Sequence, residues 1–259
     1  MKTFRIIGMV LMAIVMGVSF VSCNPDDKQE EPTKKLVKFG HGNNETILKY
    51  DEQGHLIEYS DVMGLEGLTK TYTYTYVWGE NTIDITLDVN GGESQEKCTL
   101  DLANGLASGI SENPLTFHSS FKYNSSNRLI ETESFMGTRS LEWNDDKLIA
   151  KHDSFSIATN NDTYAYDKNY TTKGYNPLIP YVTTTDLLYV AHPELAGLAT
   201  EKLYNSETSN KTLGNKEYTF AYKYTYEFNE DGYVTKAIVT GINEENEEYK
   251  VNEYTFVWE

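Results

Sequence analysis

Across 259 residues, 39 acidic side chains stand against 22 basic ones, a formal net charge of −17. That excess repels phosphate backbones and anionic headgroups, so neither nucleic acid nor an anionic lipid surface is an expected partner. Cysteine occurs only at Cys23 and Cys98, too few for a disulfide framework or a Cys-based metal site.

The chain opens on Lys2 and Arg5, then an apolar run from Ile6 to Val18 interrupted by two glycines, closed by Ser19-Phe20-Val21-Ser22-Cys23. The run is too short and too near the N-terminus for an ordinary spanning helix and reads as a cleaved signal, residues 1–22. Ser22-Cys23 resembles a bacterial lipobox, in which the cysteine is lipidated and becomes the new N-terminus. Phe20 departs from the aliphatic residue usual there, and a plain secretory leader with a chance cysteine is the alternative. On the lipobox reading Cys23 anchors the chain to a membrane, and loss of Lys2 and Arg5 lowers the formal charge to −19. Residues 23–35 are then a flexible acidic tether, polar, proline-containing and without apolar periodicity. Acidic residues just after such a cysteine resemble the surface-export signal of some gut-anaerobe Gram-negative lipoproteins; a solvated spacer has the same composition.

Residues 36–259 read as a single antiparallel β domain. Leu36 to Phe39 and Glu45 to Tyr50 flank a turn at His41-Gly42-Asn43-Asn44. A hairpin then recurs four times: Leu48 to Tyr59, Phe121 to Ile130, Leu141 to Ile149 in a shorter form, and Tyr226 to Val234. Its pattern is an aromatic residue, Asp or Asn, two polar residues, Gly or Asn, one residue, then an aliphatic. Gly, or Asn127 in one copy, supplies the left-handed turn position. Between copies, Tyr72, Tyr74, Tyr76 and Trp78 share one face of a strand, and Ile83, Ile85, Leu87 and Val89 one face of the next. Tyr218, Phe220, Tyr222, Tyr224, Tyr226 and Phe228 alternate with Thr219, Ala221, Lys223, Thr225 and Glu227, a period that only a strand turns into one aromatic face. Tyr254, Phe256 and Trp258 close the chain in the same way. Cys98 sits in the strand-like Ser94 to Asp101 as a small half-buried residue.

Two stretches break the rhythm. Leu102 to Pro114 reads as a loop, and about 154–215 as a long, partly helical insert. Within it Thr183 to Ala199 carries the plausible helices: Leu187 to Ala191, capped by Thr185 or Asp186, and a turn opened by Pro193. About thirteen candidate strands joined by short connections predict an all-β fold, a large antiparallel meander curled into a barrel or half-barrel with the insert across its mouth or concave face. A membrane-spanning barrel is the rival. It wants aliphatic residues on its outer face and Tyr only at the interfaces, whereas Tyr here runs the length of strands.

The lipobox-like start, the length, the Tyr-Asp-x-x-Gly-x-Leu hairpins and the insert segment Asn176 to Pro180 resemble bacterial lipoproteins of a domain-of-unknown-function family described as having a porin-like fold. The resemblance covers nearly all of Lys34 to Glu259. It implies a curled antiparallel sheet and a place in the cell envelope, and it brings no established activity, catalytic residue or cofactor.

Chemistry is sparse. The histidines His41, His55, His118, His152 and His192 show no helical i, i+4 pair and no HExxH. A metal site would need His118 and His152 to converge with Asp153 or Glu142, and turn and strand-surface positions account for all five histidines. Clustering of His118, His152 and carboxylates in one cleft would mark a hydrolase, but no nucleophile elbow or phosphate loop accompanies them. No metal and no cofactor is expected. The aromatic faces have a binding interpretation, since Tyr and Trp on a concave sheet stack on sugars or hold acyl chains and keep a polar tip. The alternative is that the same rings fill a core. Tyr74, Tyr76, Tyr222 and Tyr224, with Tyr175 and Tyr181 from the insert, are the candidate ligand-binding residues. The expected function is thus an outer-membrane lipoprotein, periplasmic or surface-exposed, binding a glycan, peptide or lipid without catalysis. A structural component that meets an envelope protein partner through its acidic outer face is the second reading, a hydrolase the third.

Overall fold

The computed structural model describes residues 33–259 apart from 43, 64–69, 112–119, 135–136, 185–186 and 244–246. The signal, Cys23, His118 and the expected cap at Thr185 or Asp186 lie outside the described residues. The strands are β1 (Leu36–His41), β2 (Asn44–Tyr50), β3 (Leu56–Met63), β4 (Lys70–Trp78), β5 (Thr82–Val89), β6 (Ser94–Ala103), β7 (Leu106–Ser111), β8 (Ser120–Tyr123), β9 (Leu129–Ser134), β10 (Gly137–Asn144), β11 (Lys147–Phe155), β12 (Ala158–Ala165) and β13 (Tyr170–Thr171). Helices α1 (Leu178–Thr184) and α2 (Leu187–Ala191) and a 3-10 turn (Pro193–Ala196) follow. Then come β14 (Lys202–Leu203), β15 (Ser206–Leu213), β16 (Lys216–Phe228), β17 (Val234–Ile242) and β18 (Glu248–Trp258).

Sixteen of these strands form a closed antiparallel barrel in which each pairs with its sequence neighbour; β12 meets β15 across the insert, and β1 meets β18. Short β13 and β14 pair separately. Closure removes both sheet edges.

The repeated hairpin turns share one geometry. Asp51, Asn124 and Asn229 each donate a backbone N–H four residues on, at 3.0 Å, and each side-chain oxygen accepts the returning N–H at 2.8, 3.0 and 2.9 Å. Gly54, Asn127 and Gly232 take φ values of 89, 58 and 87°, and Asp145 in the short copy 55°. The ring before each turn has a second task. Tyr50 donates to Leu36 O, Trp78 to Leu56 O, Tyr123 to Ala107 O, Trp143 to Leu129 O, Tyr166 to Leu148 O, Tyr226 to Tyr204 O and Trp258 to Val234 O, at 2.6–3.0 Å. These rings circle one rim. Burial pushes the hydroxyls of Tyr50, Tyr123 and Tyr166 up, so they stay protonated and able to donate. Phe228 holds the ring position of the fourth copy but has no donor, and Tyr226 serves in its place.

The insert fills the lumen at that rim. Pro177 follows Asn176, whose side chain accepts from Leu178 N–H at 3.0 Å, so α1 starts earlier than the expected helices. From there α1 enters the barrel and α2 returns. Leu178, Ile179, Leu188 and Val190 are fully buried. At its inner end α1 has no basic residue of its own. Arg139 from the barrel wall donates to Thr183 O and Lys151 to Val182 O, supplying cations to the last carbonyls. Tyr175 donates to Val190 O at 2.6 Å, His192 accepts from Leu56 N–H at 3.1 Å, and Arg128 donates to Ala199 O.

Two expectations are corrected. Leu102 to Pro114 is not a loop as far as it is described: β6 continues to Ala103 and β7 begins at Leu106, joined by Asn104 and Gly105 at φ 54 and 78°. The insert is shorter than 154–215, because β12 and β15 are barrel strands. Their residues are polar on both faces, since this part of the lumen wall is itself polar.

The outer face carries rows of paired charges. Outward residues pair across strands as Lys38–Glu45, Lys49–Glu58, Lys122–Glu131, Lys223–Glu248 and Lys236–Glu253. Exposed aliphatics such as Ile47, Val77 and Val257 stand among them. A charge at a bilayer midplane costs about 2–4 kcal/mol on a barrel face, so this surface suits water.

Gly197 tests how tightly the plug seats. It lies at φ 62°, and an added Cβ would meet Asn127 O at 2.0 Å, whereas one on Gly91, at φ 69°, would meet nothing within 4 Å. Gly91→Ala is expected to cost about 1 kcal/mol through backbone strain, and Gly197→Ala clearly more, read as a larger drop in urea midpoint.

Candidate functional site

At the rim opposite the plug a run of aromatic residues reaches solvent. Tyr218, Phe220 and Tyr222 follow one another along the inward face of β16. Their rings are near-parallel, at interplanar angles of 16 and 14° and centroid separations of 6.5 and 6.4 Å, the repeat that an extended strand imposes. Tyr218 is 42% exposed and Tyr249, on β18, 50%. Gly241 lies opposite both Tyr222 and Tyr249. Its missing side chain makes room for the Tyr249 ring: a Cβ there would stand 2.6 Å from Tyr249 Cζ.

Three rungs of cross-strand pairs join this ladder to a polar wall. The outermost runs Arg139, Asp153, Asn160, Lys211, Tyr218; the second Lys151, Asp162, Ser209, Phe220; the third Tyr164, Glu207, Tyr222. Inside the wall the charges are matched. Arg139 holds both carboxylate oxygens of Asp153, with Nη2 to Oδ2 at 3.0 Å, and Lys151 meets Asp162 Oδ2 at 2.9 Å. Asn160 bridges Asp162 and Ser209 at 2.9 and 3.0 Å. Tyr224 donates to Glu207 at 2.5 Å. Burial raises the Glu207 carboxyl above its usual range, against the pull of that bond and of Lys151. Asp162 Oδ1 and the Tyr164 hydroxyl are enclosed without a hydrogen-bond partner among the described residues. Lys211 lies 5.6 Å from the Phe220 ring centroid.

The six expected binding tyrosines separate. Tyr222 stands in the ladder. Tyr76 and Tyr224, at 3 and 7% exposure, are core residues, and half-buried Tyr74 stacks on Tyr59 at 4.7 Å. Tyr175 and Tyr181 hold the plug: Tyr175 edges onto Trp258 at 5.1 Å, and Tyr181 packs on Phe39 at 4.8 Å with its hydroxyl 3.2 Å from His41 Nδ1. His41 also stacks on Tyr254 at 5.0 Å, and burial holds its basicity below the ordinary value. Tyr218 and Phe220 were visible in the alternating stretch; their place at the mouth was not. Nor was the wall, since its partners come from β10, β11, β12 and β15.

Of the residues named for hydrolysis, His118 lies outside the described residues, and His152 meets Glu142 but not Asp153. His152 faces outward, bonded to Glu142 and Asn161 at 3.1 and 3.0 Å, while Asp153 faces inward with Arg139. Among the described residues no three His, Cys, Asp or Glu side chains gather as for a metal ion.

No protein-family model and no curated protein matches the chain. Among solved structures it is similar to a porin-like protein from Bacteroides uniformis, at TM-score 0.61 and 14% identity over 88% of this chain and 99% of that one. A porin-like protein from Bacteroides vulgatus aligns over 86% of this chain and 85% of its own at 13% identity, but at TM-score 0.35. The first likeness establishes a shared barrel fold.

Two stability tests address the wall. Arg139→Met leaves Asp153 buried without its partner and is expected to cost about 3–5 kcal/mol in chemical unfolding. For Glu207 the folded state binds its proton more tightly than the unfolded chain. Stability from this group is therefore present at low pH and lost as pH rises from 4.5 through the raised folded value. Glu207→Gln is expected to match wild type at pH 4 and exceed it at pH 7, measured by thermal midpoint.

Proposed function

We propose that this chain is a lipid-anchored, non-enzymatic binding module of the bacterial cell envelope that takes its ligand at the open mouth of the barrel. One observation carries the reading: the aromatic face of β16 continues beyond the filled core and ends in a ladder of rings at solvent. Apolar strand faces are ordinarily covered, and an uncovered one rimmed by polar groups marks a contact site. The rigid closed barrel holds the rings in place without a ligand, which lowers the ordering cost of binding.

The envelope location draws on the signal and lipobox-like Ser22-Cys23, and on the porin-like Bacteroides neighbour. The water-suited outer face favours attachment through lipid on Cys23 over insertion of the barrel itself. The assembly-component reading rests on the acidic outer face. Many of those carboxylates are already paired with lysines, so it is the weaker of the two.

Two experiments test this. Cys23→Ser is expected to abolish labelling by a palmitate analogue and to move the protein from the membrane to the soluble fraction. Affinity purification from native membranes with ligand mass spectrometry is expected to recover a small molecule with wild type and none with Tyr218→Ala/Phe220→Ala. The thermal midpoint of that double variant should stay within about 2 °C of wild type, because both rings are at the solvent end. Recovery of the same molecule with both proteins would move binding away from the ladder.

A further inference from the structure

We propose that the mouth takes a neutral oligosaccharide lying along β16, its ring faces on Tyr218, Phe220 and Tyr222 and its hydroxyls toward Asn160, Glu207 and Lys211. The proposal rests on the binding reading above and adds the class of ligand.

The register carries the argument. Each ring of the ladder is joined by cross-strand pairing to a polar residue of the neighbouring strands: Tyr218 to Lys211 and then Asn160, Phe220 to Ser209, Tyr222 to Glu207. Stacking surface and hydrogen-bonding groups therefore alternate side by side within one wall. A saccharide presents that combination, with apolar C–H faces bordered by hydroxyls. The outer rings are also mostly tyrosines, each with a hydroxyl at its tip.

Other ligands fit this wall less well. A hydrocarbon chain would strip water from exposed Lys211 and return no hydrogen bond, a cost of order 1–3 kcal/mol. A peptide adding as a strand needs a free sheet edge, and the barrel is closed. A strongly charged glycan would find little free field of one sign: Arg139 is spent on Asp153 and Lys151 on Asp162, leaving exposed Lys211 beside the Glu207 carboxyl on which it acts. A neutral chain needs no such field.

The test uses the full chain in nanodiscs against three probes in parallel. These are a printed array of neutral, uronate-bearing and sulfated oligosaccharides, a fluorescent palmitate analogue, and a random peptide array. Neutral oligosaccharides are expected to give the signal. Phe220→Ala and Tyr218→Ala should each weaken it roughly tenfold, the loss of one stacking contact and its buried area. Outward His152→Ala should leave it unchanged. Signal confined to charged glycans, or a ladder-dependent signal from palmitate or peptide alone, would overturn the saccharide assignment while leaving the binding role standing. Silence from all three probes with the wild-type chain would overturn both. Neutral-glycan binding that survives both ladder variants would overturn the site.

Discussion

The bond from an indole or phenol to a carbonyl at or close to the start of the neighbouring strand, made seven times around one rim, is the interaction on which the rest of this barrel depends. Every hairpin unit has a tight turn at one end and an open gap at the other. A Tyr or Trp at the gap closes it, from Tyr50 over Leu36 to Trp258 over Val234. Each such bond contributes about 1 kcal/mol, yet its greater effect is on register. A strand slipped by one residue would send the ring to water and leave the carbonyl buried. Only the unit of β5 and β6 lacks the device, since Leu102 holds the corresponding place. The belt also gives the insert a rim of fixed shape on which to seat.

A barrel of sixteen strands is wide enough to leave an aqueous channel. Here the α1–α2 hairpin and the inward rings occupy that space. The plug's last carbonyls are matched by Arg139 and Lys151, which are in turn held by Asp153 and Asp162. One ionic network thus serves two ends. It fixes the inner end of α1, and it forms the polar wall beside the aromatic ladder. The plug and the wall are coupled through the same side chains, so a change to one is felt in the other.

How much of this was legible in the sequence depends on where the information sits. The alternation Tyr218 to Phe228 specifies a strand unaided, and the Asp51, Asn124 and Asn229 turns announce themselves through local chemistry. Strands β12 and β15 are different. Asn160, Asp162, Ser209 and Lys211 point inward, and without an apolar face nothing local separates Ala158–Ala165 from a loop. Their strand character comes from pairing across the insert. Asn176-Pro177 is a helix start readable from its local chemistry, although the apolar periodicity begins only further along. The distinction between Tyr222 and Tyr224, one at the mouth and one in the core, lies in how far the plug reaches, which no single strand encodes.

Both ends of the barrel domain meet at the plugged rim, where Lys35 and Glu259 exchange backbone hydrogen bonds of 2.7 and 2.9 Å. The seam that closes the barrel is thus a pairing of its first and last strands, β1 and β18, so the wall is complete only when segments more than two hundred residues apart have met. A β1 that let go would open the cylinder at one place and offer two raw sheet edges to any neighbour.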